Sequence, residues 1–66
     1  MGGFEREEPQ VISFHEVRYE TEDAYLIEFN EDEEDVWIPK SEVVELDVDN
    51  CELTIPYWLA YEKGLI

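Results

Sequence analysis

The chain can be arranged around one stretch, EDEEDVWIPKS at residues 31–41. It begins with five consecutive acidic residues (31–35) and passes without a spacer into the apolar residues 36–38. Charged carboxylates are costly to bury, so residues 31–35, here named the acidic tip, are predicted to form a solvated loop. The apolar half predicts a short strand that ends at Pro39, because proline has no amide hydrogen for a sheet ladder. We expect Val36, Trp37 and Ile38 to anchor the core.

The segments before the acidic tip predict a pair of antiparallel strands. Residues 11–20 are rich in β-branched and aromatic side chains, and a change of phase near His15 indicates a β-bulge. In residues 24–30, Tyr25, Ile27 and Phe29 share one face and Glu28 and Asn30 lie on the other, which is typical of a strand whose apolar face is buried. A short polar turn joins the two segments, so antiparallel pairing between them is the simplest arrangement. Residues 1–10 are expected to be a flexible lead-in to one small β-rich domain at 11–66.

The segments after Pro39 predict one helical turn and a second pair of strands. Ser41 stands where it could cap the helical turn. Residues 44–48 and 51–55 both alternate between apolar and polar side chains. They should pair through a tight turn at residues 49–50, because Asp and Asn tolerate left-handed backbone angles.

The last ten residues predict a short C-terminal helix. Pro56 suits the start of a helix, and Gly64 stands where a C-terminal cap is expected. Trp58, Tyr61 and Leu65 fall at helical spacing, so we expect them to dock on the sheet.

These elements define a mainly β (α+β) fold class. We expect a small curled antiparallel sheet, or an SH3-like or OB-like barrel, of four to five strands with one short C-terminal helix. A chain of 66 residues forms one domain at most, and its single cysteine, Cys51, cannot form an internal disulfide. Packing alone must then hold the fold, and a reducing cytosol is the simplest compartment. No apolar run approaches the ~18 residues of a membrane span.

Charge is the strongest feature of the composition. Nineteen acidic residues face four basic ones, which gives a net charge of −15. Binding to a phosphate backbone or an anionic membrane depends on Lys and Arg, so this balance disfavours both as partners. It favours a partner protein with a basic surface. The basic residues are Arg6, Arg18, Lys40 and Lys63.

The acidic residues are spread along the chain, on short elements whose other face is apolar, so they should share one compact outer surface. Side chains on one strand face recur every ~6.6 Å, whereas duplex DNA carries one charge per ~1.7 Å of axis. Two or three adjacent acidic rows approach that density, which makes a DNA-mimic surface reasonable. The alternative is an acidic surface that serves only solubility. The candidate partner-binding residues are Glu22, Asp23, Glu31, Asp32, Glu33, Glu34, Asp35, Asp47 and Asp49.

Catalytic and metal-binding patterns are weak in this sequence. His15 has no Ser or Cys nearby at a spacing typical of a nucleophile, and Cys51 is better explained as a small apolar residue near a turn. A calcium loop that started at Asp47 would need Gly at its sixth position and Glu at its twelfth, where the chain has Glu52 and Trp58. We therefore expect no catalytic residue, no cofactor and no functional metal.

Three pieces of the sequence carry a resemblance to a known group of proteins. The pieces are Ala24-Tyr25-Leu26-Ile27, Val36-Trp37-Ile38-Pro39-Lys40-Ser41, and Ile55-Pro56-Tyr57-Trp58-Leu59-Ala60 with Glu62-Lys63-Gly64-Leu65. Together they resemble a family of small uncharacterised proteins common in bacteriophage and prophage genomes. The resemblance implies a phage origin and a place in the host cytoplasm, and it implies no particular activity.

Three functional hypotheses follow from the charge and the resemblance. The first is a non-enzymatic phage protein, of the anti-CRISPR or anti-restriction type, that binds a basic nucleic-acid-handling host protein and blocks its access to DNA. In it, the acidic tip is the contact, supported by the other candidate residues. The second is a replication-accessory or single-stranded nucleic-acid-binding module in which Trp37, Tyr57 or Tyr61 stacks on bases. The third is a plain interaction module, a monomer or weak dimer.

Overall fold

The structure, a computed structural model, describes residues 8–66. These residues form two three-stranded antiparallel sheets, in the orders β1–β6–β5 and β2–β3–β4, and one short helix. The mainly β prediction is confirmed. The expected four to five strands are six in the described residues, and a closed barrel is not confirmed. The elements are β1 Pro9–Ser13, β2 Glu16–Glu20, β3 Ala24–Glu28, β4 Val36–Pro39, a 3-10 turn Lys40–Glu42, β5 Glu45–Asp47, β6 Glu52–Pro56 and α1 Tyr57–Glu62.

The chain crosses from one sheet to the other at Phe14 and His15. The amide of Phe14 donates to the carbonyl of Cys51 at 2.9 Å, whereas the amide of His15 donates to the carbonyl of Glu28 at 2.7 Å. The predicted single strand at 11–20 is therefore two strands, of which β1 pairs with β6 and β2 pairs with β3. The change of phase in the sequence marks this crossing.

The β-bulge lies further along, inside β2. The register between β2 and β3 shifts between Val17 and Tyr19, so Arg18 is the extra residue. The predicted pairing of the segments around the turn at residues 21–23 is confirmed for β2 and β3 alone, because β1 belongs to the other sheet.

The core lies between the two sheets and the helix. Both sheets contribute fully buried side chains, such as Ile27 from β3 and Leu53 from β6. Tyr25 and Phe29 pack against this core, so the predicted inward face of residues 24–30 is confirmed. The buried residues of the core are Phe14, Ile27, Ile38, Leu53, Ile55, Leu59 and Ala60.

The prediction that Trp37 anchors the core is wrong. Trp37 is 45% exposed, whereas its neighbour Ile38 is fully buried. Successive side chains of a strand point to opposite faces, so only one of the two neighbours can enter the core. Val36 and Ile38 take the inner face of β4, and the larger indole is left on the outer face.

The C-terminal helix ends as predicted. Helix α1 follows Pro56, and Gly64 has the positive φ of 75° that a C-terminal cap requires. The amide of Gly64 donates to Tyr61 at 3.1 Å and that of Leu65 to Ala60 at 2.8 Å, which is the Schellman arrangement. Trp58 and Leu65 pack against the core, but Tyr61 is 67% exposed, so its predicted docking is wrong.

Two turn predictions need correction. Ser41 lies inside the 3-10 turn, whose N-terminal cap position is Pro39, and no side chain caps it. In the turn between β5 and β6 the residue with left-handed backbone angles is Cys51, at φ 56°. The predicted strand at 44–48 is reduced to β5, because Val44 and Val48 are both largely exposed.

The predicted lead-in at residues 1–10 is described only in part. Residues 1–7 lie outside the described part of the chain, and Pro9 and Gln10, which belong to the predicted lead-in, are part of β1. Within residues 8–66, no helix is long and apolar enough to cross a membrane.

Candidate partner-binding site

The acidic tip is the loop between β3 and β4, and its backbone is ordered by Asn30. The side-chain oxygen of Asn30 accepts the amide of Asp32 at 2.9 Å, and its backbone carbonyl accepts the amide of Glu33 at 3.0 Å. Residues 31–34 are exposed and Asp35 is half-buried. The predicted solvated tip is therefore confirmed, as a turn with a fixed backbone and outward carboxylates.

Most of the charge on the acidic tip is not neutralised. Glu31 lies 3.7 Å from Nε2 of His15, and Asp35 lies 3.6 Å from Nε of Arg18. Within residues 8–66, no cationic side chain contacts Asp32, Glu33 or Glu34. Three adjacent carboxylates are thus free to meet charges on another molecule.

The structure separates Glu22 and Asp23 from the acidic tip. Both residues lie in the turn between β2 and β3, at the other end of β3 from the tip. A five-residue strand spans about 13 Å or more between its ends. The carbonyl of Asp23 accepts the amide of Lys40, so this turn is bound to the start of the 3-10 turn. The sequence grouped these two acids with the tip, and the fold places them elsewhere.

Asp47 and Asp49 lie at the same end of the molecule as the acidic tip. Their turn, between β5 and β6, is bound to the sheet crossing through Cys51, whose carbonyl accepts the amide of Phe14. The next residue, His15, contacts both Glu28 and Glu31. We name the acidic tip and the β5–β6 turn together the acidic end.

Asp47 and Asp49 differ in their contacts. The Asp47 carboxylate accepts the backbone amide of Asn50 at 3.1 Å and its side-chain amide at 2.8 Å. These hydrogen bonds favour the charged form and lower the pKa of Asp47 below its ordinary value. Asp47 therefore stabilises the turn, and Asp49 is the exposed charge there.

The sequence analysis did not identify the cluster of ionisable side chains around His15, next to the acidic tip. Nδ1 of His15 lies 2.9 Å from Oε1 of Glu28, and this hydrogen bond raises the pKa of His15 above its ordinary value. His15, Glu16 and Glu28 also place ligand-type atoms within 4.8 Å of one another. However, Nη1 of Arg18 lies 3.7 Å from Glu28 and 3.9 Å from Glu16, so both carboxylates are already engaged by a cation of the chain. His15 and Glu28 are 13 residues apart, so no local sequence pattern could have predicted their contact.

The sequence analysis also did not identify a row of apolar side chains that crosses β2, β3 and β4. Tyr19, Leu26 and Trp37 are partners in the register of β2, β3 and β4 and lie on the face of that sheet opposite Ile27 and Ile38. The rings of Tyr19 and Trp37 meet edge to face, with centroids 6.4 Å apart and planes at 87°. Tyr19 is 62% exposed. We name these three residues the aromatic row.

The cationic side chains of this surface are already paired within the chain. Arg18 contacts carboxylates of Glu16, Glu28 and Asp35, and Lys40 binds Glu20. Lys40 also lies 5.0 Å from the centroid of the Tyr25 ring. Few positive charges remain to meet a phosphate backbone.

Comparisons with protein families, with characterised proteins and with solved structures found no match to this chain. The resemblance to phage proteins therefore stays a prediction from the motifs.

Proposed function

We propose that this chain is a non-enzymatic phage protein that binds a basic, nucleic-acid-handling host protein and blocks its access to DNA. The observation that carries the proposal is the acidic tip, where Asp32, Glu33 and Glu34 are exposed and contact no cationic side chain of residues 8–66. A groove that binds the phosphate backbone is lined with Lys and Arg. Unneutralised carboxylates are complementary to such a groove, and complementary charge raises the association rate and selects the partner.

The arrangement of the acidic end supports the same proposal. Asp49 projects from a second turn that the sheet crossing holds beside the tip. Two loops from two different sheets thus present charge at one end, as a substitute for a short piece of phosphate backbone requires. CRISPR effectors and restriction enzymes are the kind of partner that fits. The setting we propose is the host cytoplasm.

A matched pair of double variants tests this function. Asp32→Lys with Glu33→Lys and Glu22→Lys with Asp23→Lys change the net charge equally, but the second pair lies at the far end of β3. Wild type and both variants are used as bait in a bacterial lysate, and each captured protein is purified and assayed for DNA binding by gel shift. We expect wild type to inhibit DNA binding, the 22/23 variant to inhibit nearly as well, and the 32/33 variant to fail. Equal inhibition by both variants would contradict the proposal.

A single-stranded nucleic-acid-binding module is the second candidate, and the exposure of Trp37 beside Tyr19 favours it. Aromatic side chains stack on bases with little sequence preference. The paired state of Arg18 and Lys40 weighs against it, because free cations are needed to hold the backbone. Quenching of tryptophan fluorescence by single-stranded DNA at low salt tests this candidate, and an unchanged spectrum dismisses it.

We further propose that the two sheets are the halves of a partly open SH3-like barrel, since Phe14 and His15 carry the chain from one to the other. The proposed oligomeric state is a monomer or weak dimer, because a charge of −15 opposes self-association. Sedimentation at two protein concentrations distinguishes a monomer from a dimer.

A further inference from the structure

We propose that the aromatic row and Asp35 together bind an arginine side chain of the basic partner. The inference rests on the proposed function and adds which residue the partner presents and where it is recognised. The acidic tip supplies long-range attraction, and this neighbouring face of the β2–β3–β4 sheet supplies selectivity for arginine over lysine.

The apolar half of the site spans three strands, and its two rings stand nearly perpendicular to each other. Tyr19, Leu26 and Trp37 lie side by side across the sheet, with the two aromatic residues exposed and Leu26 half-buried between them. The edge-to-face contact at 6.4 Å holds both rings in place. A planar guanidinium gains attraction over an aromatic face of this kind, most of all over Trp.

The charged half of the site lies on the same face. Asp35 immediately precedes β4 and contacts Arg18, which also contacts Glu28, and Glu28 lies on the same face of β3 as Leu26. The side chain of Asp35 is 31% exposed, and its one ion pair within residues 8–66 is with Arg18, at 3.6 Å. A carboxylate has about four acceptor positions, so Asp35 keeps room for a second donor.

The chain places one guanidinium of its own next to Asp35. Arg18, the extra residue of the bulge, lies within 3.6–3.9 Å of carboxylates on Glu16, Glu28 and Asp35. One internal arginine thus meets three acids, so the face keeps a net negative charge. A second guanidinium from outside can share Asp35 and extend over Trp37.

An exposed aromatic face could bind an arginine side chain, a second copy of this chain or a nucleic acid, and charge complementarity favours the arginine. A second copy of the chain brings another −15, and a nucleic acid brings phosphates; both meet repulsion from Asp35 and the acidic tip. A basic segment is attracted by the same charges. Lysine provides the charge but not the flat stacking surface, because its ammonium is a compact and strongly hydrated point charge.

The test compares two peptides of equal length and charge, a Gly-Arg and a Gly-Lys repeat of eight residues, by calorimetric titration into the full chain at low salt. We expect the arginine peptide to bind more tightly, by at most about two- to fivefold, the full range for a cation over an exposed aromatic ring. Trp37→Leu should remove the preference, so that both peptides bind equally. Tyr61→Leu is the matched control, an exposed aromatic residue outside the row, and should keep the preference.

The outcomes separate this inference from the proposed function. If both peptides bind wild type equally and Asp32→Lys with Glu33→Lys weakens both, the acidic tip functions as proposed and the arginine site is wrong. If neither peptide binds, both proposals fail. A preference that survives Trp37→Leu, a dimer that Trp37→Leu dissolves, or binding of single-stranded DNA alone to wild type that Trp37→Leu abolishes would each overturn the arginine site.

Discussion

Trp37 and Ile38 are neighbours with opposite surroundings. The fully buried Ile38 faces Tyr25 across the sheet, and Trp37 faces Leu26 on the outside. Size and apolar character favour Trp37 as the core residue, and strand alternation assigns that role to Ile38. The indole is thereby free for contact with another molecule.

Trp37→Ala is expected to lower the free energy of unfolding by about 1–2 kcal/mol, because a large part of the side chain is already in water and the cost scales with the area removed from it. Ile38→Ala leaves a cavity and should cost about 2–5 kcal/mol. Urea unfolding of both variants measures the difference. An unfolded Trp37→Ala variant, or a larger cost than that of Ile38→Ala, would contradict the observed side of the sheet.

His15 makes the stability of this chain depend on pH. The hydrogen bond and charge of Glu28, assisted by the charges of Glu31 and Glu16, raise the pKa of His15 above its ordinary value of 6.5. Below pH 6.5 both the folded and the unfolded chain carry the proton, so the stabilisation is fully present there. As the pH rises through the folded-state pKa the proton is lost, and the stabilisation with it.

Wild type should therefore exceed His15→Gln in stability at pH 6, and the difference should shrink as the pH rises above the folded-state pKa. Glu28→Gln should return the pKa of His15 toward 6.5, and Glu31→Gln should change it less, because Glu28 makes the largest contribution. Proton NMR titration of the imidazole measures both shifts. A pKa that is unchanged in Glu28→Gln would contradict the role of that hydrogen bond.

At the scale of elements, the end of α1 shows local sequence and tertiary packing in agreement. Gly64 supplies the positive φ, and the two Schellman hydrogen bonds turn the chain so that Leu65 packs against the core beside the buried Ala60. A six-residue helix is too short to be stable alone. Its docking and its cap together hold it.

Gly64→Ala is expected to cost about 1–2 kcal/mol, the penalty for a β-carbon at left-handed backbone angles. A β-carbon built at Gly64 meets no atom within 4 Å, so the whole cost is conformational. Gly64→Asn should cost less, because Asn tolerates these angles, and Lys63→Ala, at φ −85°, is the control. Urea unfolding measures all three. A neutral Gly64→Ala would contradict the cap.

For the whole molecule, the dominant quantity is the charge of −15. Self-repulsion destabilises the compact state, and the ion pairs of Arg18 and Lys40 are exposed enough to offset little of it. The same repulsion opposes self-association. If a basic partner binds as we propose, it relieves the repulsion, so binding and folding stability are then coupled.

Added sodium chloride is expected to raise the midpoint of urea unfolding, because the Debye length falls from about 30 Å at 0.01 M to about 8 Å at 0.15 M and repulsion is screened. Sodium and potassium chloride should act alike at equal ionic strength, since the effect is screening. A midpoint that falls with salt would show that the surface ion pairs outweigh the repulsion.

The sequence alone predicted the elements whose signals are local. The alternation at 24–30, the proline and glycine that bound α1, and five acids too costly to bury each predict one structure with no knowledge of distant residues. Strand 11–20 was mispredicted because a change of phase is compatible with either a bulge or a crossing between sheets. Only the pairing partners, Cys51 and Glu28, decide between the two.

The sequence by itself determined the mainly β class and the solvated acidic tip, and its charge predicts a basic partner. Tertiary structure alone decided that Glu22 and Asp23 lie away from the tip, that His15 pairs with Glu28, and that Tyr19 and Trp37 meet on the outer face. The physical reason is that hydrophobicity and charge are properties of single residues. The side of the sheet on which a side chain lies, and the distant residues that it contacts, depend on strand register. That register is fixed only when both sheets pack over one core.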